Sequence, residues 1–508
     1  MLPAALSIPA SLSGRHLALA LLAIFGFLGL LLEYGHLRGK PQTIFPKLSR
    51  PSTTWLSQSL GSSQFWIDFA PILAAAAPRC VPPELNGQAP SSVRVSVPGS
   101  GAGLTDRSNN ILTLSAKDVD SMRKSHTWFV NQIKHEAPEL EYKRGTQGIV
   151  TSAGGEYFPT LLVSLQMLRR TGSSLPVEVF LATTEEYESQ VCNEVLPALN
   201  AKCIILSNII EQALLPFEIS HYQLKAFSML FSSFENILFL DADNFPVYQP
   251  EELFESEPFI SQHMVLWPDY WTPTVSPNFY TITGLDADML DNRPTIEAGQ
   301  ILISKAHHSK TLLLAAYYNT YNDYYYHLMT QGGPGEGDKE TFSSAALVLG
   351  EQFYTIAQPT HPLGDRHGGA ILQPHPTDDF LFQSNPNSGS KSKFNTNYNE
   401  TRAVRPMFIH ASWPPKLNAM RNVREQRQWG SPVISEQLFG TDIEPVVWGI
   451  MVEMACREGL EFRDWGEGNK TSLDRDVCEQ TKRCFKDMFS TEYVGQEAER
   501  MWWSGSEG

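Results

Sequence analysis

Strand-like and helix-like hydrophobic patterns alternate along the middle of this 508-residue chain. Leucines at helical spacing predict a helix over residues 157–170, and Gly172 ends it. Similar helical patterns lie at 115–133, 185–199 and 221–234, and short apolar runs that predict buried strands lie at 148–150, 176–181, 202–206 and 237–240. Strands that alternate with helices are typical of an α/β domain with a mostly parallel sheet. Ligands of such sheets bind at the carboxyl ends of the strands.

The amino-terminal part of the chain has a different pattern. An apolar run at residues 17–32 predicts an uncleaved signal-anchor transmembrane helix over 17–37, after a short tail of residues 1–16. A cleaved signal peptide is the alternative, although no small-x-small cleavage site follows the run. Residues 38–110 are rich in Ser, Pro, Gly and Ala and predict a stem. Residues 111–508 are then expected to form one large folded domain.

Two kinds of residue indicate an oxidising, glycosylating compartment. N-glycosylation sequons begin at Asn399 and Asn469. All six cysteines follow the apolar run, and their even number suits disulfide bonds whose pairing stays open. Three of them lie in residues 430–508, where we expect a Cys-braced extension. The charges around the apolar run leave its orientation open, but sequons and cysteines favour a lumenal position for everything after it.

The acidic composition excludes one class of function. Asp and Glu number 55 against 39 Lys and Arg, which gives a formal net charge of −16. A nucleic-acid-binding surface needs clustered basic residues, so we expect no nucleic-acid partner. An acidic chain that binds a polyanionic ligand requires a local source of positive charge, either a metal ion or a few basic residues at the binding site.

Asp241 and Asp243 are candidates for binding such a metal ion. They follow the apolar run 237–240 directly, at the point where the predicted strand ends. Two carboxylates there can converge on one Mg²⁺ or Mn²⁺ ion, which would neutralise the charge of a nucleoside-diphosphate leaving group. The chain has four Asp-x-Asp triplets, and the other three lie in polar sequence where they are expected to be solvated surface carboxylates.

Four long stretches resemble, in the same order, the family of fungal Golgi α-mannosyltransferases, which add α-1,2- or α-1,3-linked mannose. They are residues 148–181, 222–259, 265–271 and 332–342. The resemblance implies a GT-A-type glycosyltransferase fold, with a Rossmann-like, mixed and mostly parallel sheet, in a catalytic domain that spans residues 111–508.

The same resemblance implies the reaction and its setting. GDP-mannose is the expected donor, Mn²⁺ or Mg²⁺ the expected cofactor, and a mannose-containing glycan or glycoprotein the expected acceptor, with retention of the anomeric configuration. We favour an α-1,2 linkage over α-1,3. The expected location is the Golgi membrane, with one transmembrane helix in type II orientation, a lumenal catalytic domain and other mannosyltransferases as candidate partners.

Several residues are candidates for binding the donor and the metal. The turn at Gly154 and Gly155 would receive the nucleotide, because glycine lets the backbone approach a ligand closely; an ordinary strand-to-helix turn is the alternative. Lys225 is expected to contact the nucleotide, and a solvated charge on the helix is the alternative. His410 is the candidate third metal ligand, with Lys416 as a phosphate contact, although a structural histidine is the alternative. Three other histidines compete for the ligand role: His361, His367 and His375.

Four polar residues are candidates for sugar binding or catalysis. Glu297 and Gln300 precede a strand-like run and are expected to hydrogen-bond the hydroxyls of the donor sugar. Asp338 and Glu340 lie in the glycine-rich stretch 332–342, which lacks the Lys-Ser/Thr pair of a phosphate-binding loop. We expect these two carboxylates to act in catalysis on the sugar, and a solvated loop is the alternative.

Three other functions stay open at the level of sequence. A GT-A enzyme with another donor, such as UDP-galactose, would use the same carboxylate pair. A nucleotidyltransferase would also use paired Asp residues, but the apolar run and the sequons argue against it. An inactive scaffold or glycan-binding subunit of a mannosyltransferase complex would have no need for the intact pair.

Overall fold

The computed structural model describes residues 59–90, 110–291, 293–364, 369–384, 404–413, 416–421, 426–467 and 477–489. These residues belong to one compact unit. The predicted tail, the predicted anchor helix at 17–37 and the sequons at Asn399 and Asn469 lie outside them. Across the described ranges, no helix combines the length and the apolar character that crossing a membrane requires.

The described residues form thirteen strands and twelve helices of seven or more residues. In chain order the strands are β1 (Glu84–Leu85), β2 (Leu112–Thr113), β3 (Lys143–Ser152), β4 (Val177–Leu181), β5 (Ala201–Ile205), β6 (Phe234–Leu240), β7 (Asn244–Pro246), β8 (Met264–Pro268), β9 (Ile296–Ser304), β10 (Tyr354–Thr355), β11 (His361–Leu363), β12 (Ala370–Pro374) and β13 (Pro406–His410). The helices are α1 (Ser59–Ala75), α2 (Ala116–His135), α3 (Tyr157–Arg170), α4 (Gln223–Phe231), α5 (Pro277–Thr283), α6 (Lys305–Thr320), α7 (Asn322–Thr330), α8 (Thr341–Leu349), α9 (Pro376–Gln383), α10 (Pro432–Phe439), α11 (Ile443–Ala455) and α12 (Val477–Phe489). Shorter helical turns lie at Thr184–Glu186, Val191–Val195, Leu196–Ala198, Ser207–Ile210, Glu211–Ala213, Glu251–Phe254, Phe259–Gln262, Asp288–Asp291 and Arg463–Glu467.

A seven-stranded mixed sheet in the order β10-β8-β9-β6-β3-β4-β5 forms the centre of the unit. Strands β5, β4, β3 and β6 run parallel to one another, whereas β9 runs antiparallel to both β6 and β8. The predicted mixed, mostly parallel α/β sheet is confirmed. Because β3 and β6 are parallel neighbours, their carboxyl ends lie at the same edge of the sheet.

The local sequence explains most of these elements. All five residues of β4 and all nine of β9 are buried, as expected for strands that are covered on both faces. Helix α3 begins and ends where the leucine spacing predicts. The predicted continuous helix at 185–199 is wrong, because the backbone of Tyr187 is extended and separates a short 3₁₀ turn from a later π turn. A disulfide between Cys192 and Cys203 ties that π turn to β5.

Helix α1 lies within the predicted stem at 38–110, and this part of the prediction needs correction. Trp66, Phe69 and Leu73 of α1 are fully buried in the main hydrophobic core. The indole N–H of Trp66 donates a hydrogen bond to Ile210 O at 2.8 Å. The apolar residues of α1 are spread around the helix instead of along one face, which is why its pattern did not stand out in the sequence.

A second, four-stranded antiparallel sheet brings the end of the chain to the central sheet. Its order is β11-β12-β13-β7. Strand β7 begins directly after Asp243 and pairs with β13, so that Asn244 lies opposite His410. This pairing places His410 beside Asp243, although the two are 167 positions apart in the chain. Further along, the disulfide Cys456–Cys478 joins the end of α11 to α12, inside the segment 430–508 where a Cys-braced extension is expected.

Candidate metal and donor site

Three side chains from two strand ends converge at one edge of the central sheet. Asp241 and Asp243 follow β6, and His410 ends β13. One ligand atom of each lies within 4.8 Å of those of the other two. His410 Nε2 is 3.1 Å from Asp243 Oδ1 and 3.9 Å from Asp241 Oδ2. Two carboxylates and an imidazole suit a divalent cation such as Mn²⁺, so the structure brings together the three residues that were predicted as metal ligands.

Two of the three histidines that compete with His410 lie in the described residues, and neither joins the two aspartates. His375 Nε2 lies 2.8 Å from Glu252 Oε1. His361 is the first residue of β11, and His367 lies outside the described residues. Of the three candidates that the structure describes, His410 is the one that lies with the two aspartates.

Asp243 is the buried member of the group. Its side chain is 4% exposed, whereas that of Asp241 is 31% exposed. Lys416 Nζ lies 2.7 Å from Asp243 Oδ2, the oxygen that does not face His410. Burial alone would raise the pKa of Asp243, but the charges and hydrogen bonds of His410 and Lys416 outweigh burial and hold this pKa below its ordinary value. Asp243 is therefore an ionised carboxylate, the form that binds a metal ion.

Lys416 contacts a predicted metal ligand and is also partly exposed to solvent. About a third of its side chain, 33%, is exposed. Its Nζ also lies 5.3 Å from the centre of the Tyr157 ring. Contact between Lys416 and a phosphate stays a prediction, and its position beside the metal ligands favours it.

Lys225 has partners that the sequence did not predict. Its Nζ lies 3.1 Å from Asp241 Oδ1, 3.4 Å from Asp338 Oδ2 and 2.5 Å from Ala298 O. Burial alone would lower the pKa of Lys225, but Asp241 and Asp338 raise it above its ordinary value. The predicted nucleotide contact of Lys225 is not supported, because three oxygens of the protein already surround the ammonium group. Its charge instead holds Asp241 in place.

The predicted sugar-binding pair Glu297 and Gln300 is buried behind His410. The two residues are 6% and 0% exposed. Glu297 Oε1 lies 2.9 Å from His410 Nδ1, and Gln300 Nε2 donates to Glu297 Oε2 at 2.7 Å. Burial alone would raise the pKa of Glu297, but His410 and Lys225 lower it to about 2. The prediction that this pair hydrogen-bonds a sugar needs correction, because both side chains are taken up inside the protein.

Comparison with known proteins assigns the chain to a family. A family model for mannosyltransferases matches residues 146–293 and 285–369. An α-1,2-mannosyltransferase of Candida albicans is 33% identical over 448 residues, which cover 74% of this chain and 67% of that relative. The chain belongs to this mannosyltransferase family.

Other relatives agree with this assignment. An α-1,2-mannosyltransferase of Saccharomyces cerevisiae is 33% identical over 371 residues, which cover 60% of this chain and 62% of that relative. The chain thus spans about two thirds, or slightly less, of the length of these relatives. Among solved structures, a galactosyltransferase with bound donor and acceptor sugar analogues shares 16% identity over 58% of this chain and 96% of its own, at a TM-score of 0.32. Family membership confirms the prediction of a glycosyltransferase.

In the mannosyltransferase, Asp338 and Glu340 are interior residues instead of loop side chains in solvent. Asp338 is 4% exposed, and burial raises its pKa to about 6 although Lys225 opposes the shift. Glu340 accepts a hydrogen bond from Ile296 N at 3.0 Å, and burial raises its pKa to about 7 although Lys339 opposes the shift. The structure does not support the predicted catalytic role of Glu340, because its carboxylate supports the backbone of β9. Asp338 pairs with Lys225, which also pairs with Asp241.

The interior role of Glu340 predicts a dependence of stability on pH. Its pKa of about 7 in the fold exceeds the ordinary value of 4.5, so its stabilising contribution is complete below about pH 4.5 and is lost as the pH rises through 7. Glu340→Gln lacks this titration. Its free energy of unfolding, relative to that of the natural protein, should rise by up to roughly 3 kcal/mol between about pH 5 and pH 8. Thermal melts of both proteins across this range measure the change, and a constant difference would contradict the interior role.

The turn at Gly154 and Gly155 lies at the same sheet edge as the metal ligands, because it follows β3, the parallel neighbour of β6. At Gly154 the φ angle is +152°, and an added Cβ would lie 2.6 Å from Glu186 Oε2. At Gly155 the φ angle is +50°, and the space around an added Cβ is open. The backbone conformation explains both glycines, and the open space at Gly155 favours the predicted approach of the nucleotide.

Sequence reasoning missed three exposed aromatic residues around the site: Tyr157, Tyr222 and Trp413. The Tyr157 ring faces Lys416, the Tyr222 ring packs against Gly337, and Trp413 O accepts from Lys416 N. Each lies within three positions of a predicted site residue, which is a signal that the sequence did contain. Aromatic faces that stay exposed beside a polar site suit sugar rings, which offer an apolar face.

Proposed function

We propose that this mannosyltransferase transfers mannose from GDP-mannose to a mannose-containing glycan or glycoprotein, with an α-1,2 linkage and with retention, through a GT-A-type catalytic domain. One observation carries the proposal: Asp241, Asp243 and His410 converge within 4.8 Å at the carboxyl edge of a mixed α/β sheet, in a member of a mannosyltransferase family. The matched α-1,2-mannosyltransferases support the choice of linkage.

Asp241, Asp243 and His410 would hold a divalent cation. Oxygen ligands suit both Mg²⁺ and Mn²⁺, and the imidazole favours Mn²⁺, because Mg²⁺ prefers oxygen ligands alone. The bound ion would supply charge neutralisation for a diphosphate leaving group. A cation held by these ligand atoms would provide the local positive charge that an acidic chain needs in order to bind a nucleoside diphosphate.

The residues around the metal group have roles that follow from their positions. Lys416, paired with Asp243 and partly exposed, would contact a phosphate of the donor. The backbone at Gly155 would border the nucleotide, and Lys225 would keep Asp241 oriented without touching the donor.

Retention does not require a carboxylate nucleophile in this proposal. Among the carboxylates around the metal group, Asp243, Glu297 and Asp338 have side chains that are 4%, 8% and 6% exposed, and each contacts a cationic group or an imidazole. Only Asp241, at 31%, is substantially exposed, and it is a proposed metal ligand. These exposures favour a reaction without a covalent intermediate, in which the acceptor hydroxyl attacks the anomeric carbon of the donor sugar from the same side as the departing diphosphate.

We also propose that the enzyme acts in the Golgi lumen as a type II membrane protein. The apolar run at 17–32 and the sequons at Asn399 and Asn469 support this location. The disulfides Cys192–Cys203 and Cys456–Cys478 suit an oxidising compartment. Other mannosyltransferases are the proposed partners there.

A donor panel followed by linkage analysis tests the proposed reaction. The protein is incubated with Mn²⁺, an α-mannobiose acceptor and either GDP-mannose or UDP-galactose. We expect mannose transfer from GDP-mannose, and an α-1,2 bond in the product. An α-1,3 product would correct the linkage, and transfer from UDP-galactose would overturn the donor. Turnover that Mn²⁺ and Mg²⁺ leave unchanged would overturn the metal assignment, and no turnover of either donor at any metal concentration would favour an inactive scaffold or glycan-binding subunit.

The phosphate contact of Lys416 predicts a change in donor binding. Lys416→Ala removes a charge-assisted hydrogen bond of about 1.5–3 kcal/mol, so the KM for GDP-mannose should rise roughly 10- to 100-fold. The KM for the acceptor should change little. Lys482→Ala is a control, because Lys482 is an exposed lysine of α12 that pairs with Glu479. If the acceptor KM alone rose, the assignment of Lys416 to the donor side would be wrong.

A further inference from the structure

The two ring nitrogens of His410 face different carboxylates. Nε2 is directed to Asp243 and Asp241, at 3.1 and 3.9 Å, and Nδ1 lies 2.9 Å from Glu297 Oε1. A histidine binds a metal ion through a nitrogen that carries no proton. The nitrogen that keeps its proton therefore decides whether Nε2 is available to a cation held by the two aspartates.

The hydrogen bonds around Glu297 fix the direction in which each group donates. Gly299 N donates to Glu297 Oε1 at 2.8 Å. Gln300 Nε2 donates to Glu297 Oε2 at 2.7 Å, and Gln373 Nε2 donates to the same oxygen at 3.2 Å. Both oxygens of Glu297 therefore accept hydrogen bonds from groups other than His410.

Two backbone carbonyls determine the orientation of the amides in this network. Asn244 Nδ2 donates to Gly299 O at 2.7 Å and to Gln300 Oε1 at 2.7 Å. Because a carbonyl oxygen only accepts, Asn244 presents its NH₂ there, and Gln300 must turn its own NH₂ toward Glu297. In the same way, Gln373 Nε2 donates to Pro268 O at 3.1 Å and is therefore also a donor toward Glu297.

These constraints settle which ring nitrogen of His410 keeps its hydrogen when a metal ion binds. Glu297 is a carboxylate surrounded by donors, so it accepts from His410 as well, and Nδ1 is the nitrogen that carries the hydrogen. In the metal-free protein Nε2 donates to Asp243 Oδ1 at 3.1 Å, so a cation held by the two aspartates would displace this proton and take the Nε2 lone pair, while Nδ1 keeps its hydrogen toward Glu297. Carboxylates that accept from the second nitrogen of a metal-binding histidine fix its orientation and make it a better ligand.

We propose that Glu297 is a positioning residue that holds His410 in the tautomer and orientation required to bind the divalent cation, with Gln300 and Gln373 fixing Glu297 in turn. The inference rests on the metal site of the proposed function. It also gives a function to three polar side chains inside the protein, because Glu297, Gln300 and Gln373 are only 6%, 0% and 0% exposed.

Glu297→Gln is the informative variant, because it keeps the shape of the side chain and breaks the pattern of donors and acceptors. If the new amide turns its oxygen to His410, its NH₂ meets the donors of Gln300 and Gln373. If it turns its NH₂ to His410, Nδ1 must accept, and the proton moves to Nε2, where it blocks the metal ion. In either orientation we expect Mn²⁺ to bind roughly 10- to 100-fold more weakly.

The experiment measures Mn²⁺ affinity of the full protein from the EPR signal of free Mn²⁺, without donor or acceptor. Glu340→Gln is the matched control: Glu340 is 6% exposed like Glu297 and accepts from the backbone of β9, but it does not contact His410. This control should bind Mn²⁺ with the affinity of the natural protein. An equal loss in both variants would overturn the positioning role, and so would unchanged affinity in Glu297→Gln.

A double-mutant cycle separates action through His410 from a general structural effect. In a His410→Ala background, adding Glu297→Gln should change Mn²⁺ affinity by less than about twofold, because the ligand through which Glu297 acts is absent. The same fold-loss in both backgrounds would overturn the proposal. If Glu297→Gln does not fold, Gln373→Leu decides: it keeps Glu297, removes one of its donors and should weaken Mn²⁺ binding several-fold, whereas unchanged affinity would overturn the proposal.

The outcomes also distinguish this inference from the proposed function. If the natural protein binds neither Mn²⁺ nor Mg²⁺, the metal site itself fails. If the natural protein binds Mn²⁺ and Asp243→Asn abolishes binding while Glu297→Gln does not weaken it, the metal site stands and only the role of Glu297 is lost.

Discussion

Asp243→Asn is expected to lower kcat/KM for mannose transfer at least roughly a thousandfold, about 4 kcal/mol of transition-state stabilisation. Asp243 forms an ion pair with Lys416 at 2.7 Å through one oxygen and faces His410 Nε2 at 3.1 Å with the other. The amide of asparagine carries no charge for the cation, and its NH₂ would meet either Lys416 or the imidazole. Both the metal ion and Lys416 would then lose their position on the diphosphate.

The measurement is kcat/KM with GDP-mannose across a Mn²⁺ titration. Asp286→Asn is the matched control, because Asp286 also belongs to an Asp-x-Asp triplet but is exposed, and its carboxylate accepts from Asp288 N at 3.1 Å. The control should keep the activity and Mn²⁺ dependence of the natural protein. Removal of one partner from a buried ionic group also destabilises a fold, so melting temperatures are recorded for both variants. Full activity in a folded Asp243→Asn protein would refute the metal assignment.

Gly299→Ala is expected to weaken Mn²⁺ binding at least about 100-fold and to lower the free energy of unfolding by about 1–3 kcal/mol. A Cβ at position 299 would lie 2.4 Å from His410 Nδ1 and 2.6 Å from Glu297 Oε1. Gly299 O also accepts from Asp241 N at 2.9 Å, so the strand has little freedom to withdraw. A single methyl group would therefore push the imidazole away from the carboxylate that orients it.

Gly449→Ala provides the comparison for this variant. Gly449 lies inside α11, where an added Cβ meets nothing within 4 Å, and alanine favours a helix over glycine by roughly 1 kcal/mol. This control should melt at or above the temperature of the natural protein and bind Mn²⁺ normally. Normal Mn²⁺ affinity in Gly299→Ala would show that His410 does not need its observed position.

The sequence predicted the elements whose hydrophobic pattern is complete within one short segment of the chain. Helix α3 and the strands β3, β4 and β6 follow from leucine spacing and short apolar runs, and they place Asp241 at a strand end. The reversed direction of β9 was not predictable in this way, because a fully buried strand has the same apolar pattern in either direction.

In the site, too, the sequence predicted the features that depend on local pattern and missed those that depend on distant partners. The aspartates were found because they follow a buried strand directly, and His410 because it follows an apolar run. The roles of Glu297 and Gln300 were misassigned, since polar residues in a sequence suggest contact with a ligand, whereas here they contact each other and His410 inside the protein. Burial of a polar side chain depends on partners from distant segments such as Gln373, which local patterns do not reveal.

The pairing of β7 with β13 sets a limit on how this chain can be shortened. The family match ends at residue 369, which is 41 positions before His410 (410 − 369). A recombinant fragment cut at that limit would keep both aspartates but lose the histidine, Lys416 and the strand that borders β7. A cut at residue 146 would also remove α1, whose tryptophan fills the core. Such a fragment would be inactive like a homologue without catalytic residues, but the cause would be the removal of these segments from the fragment.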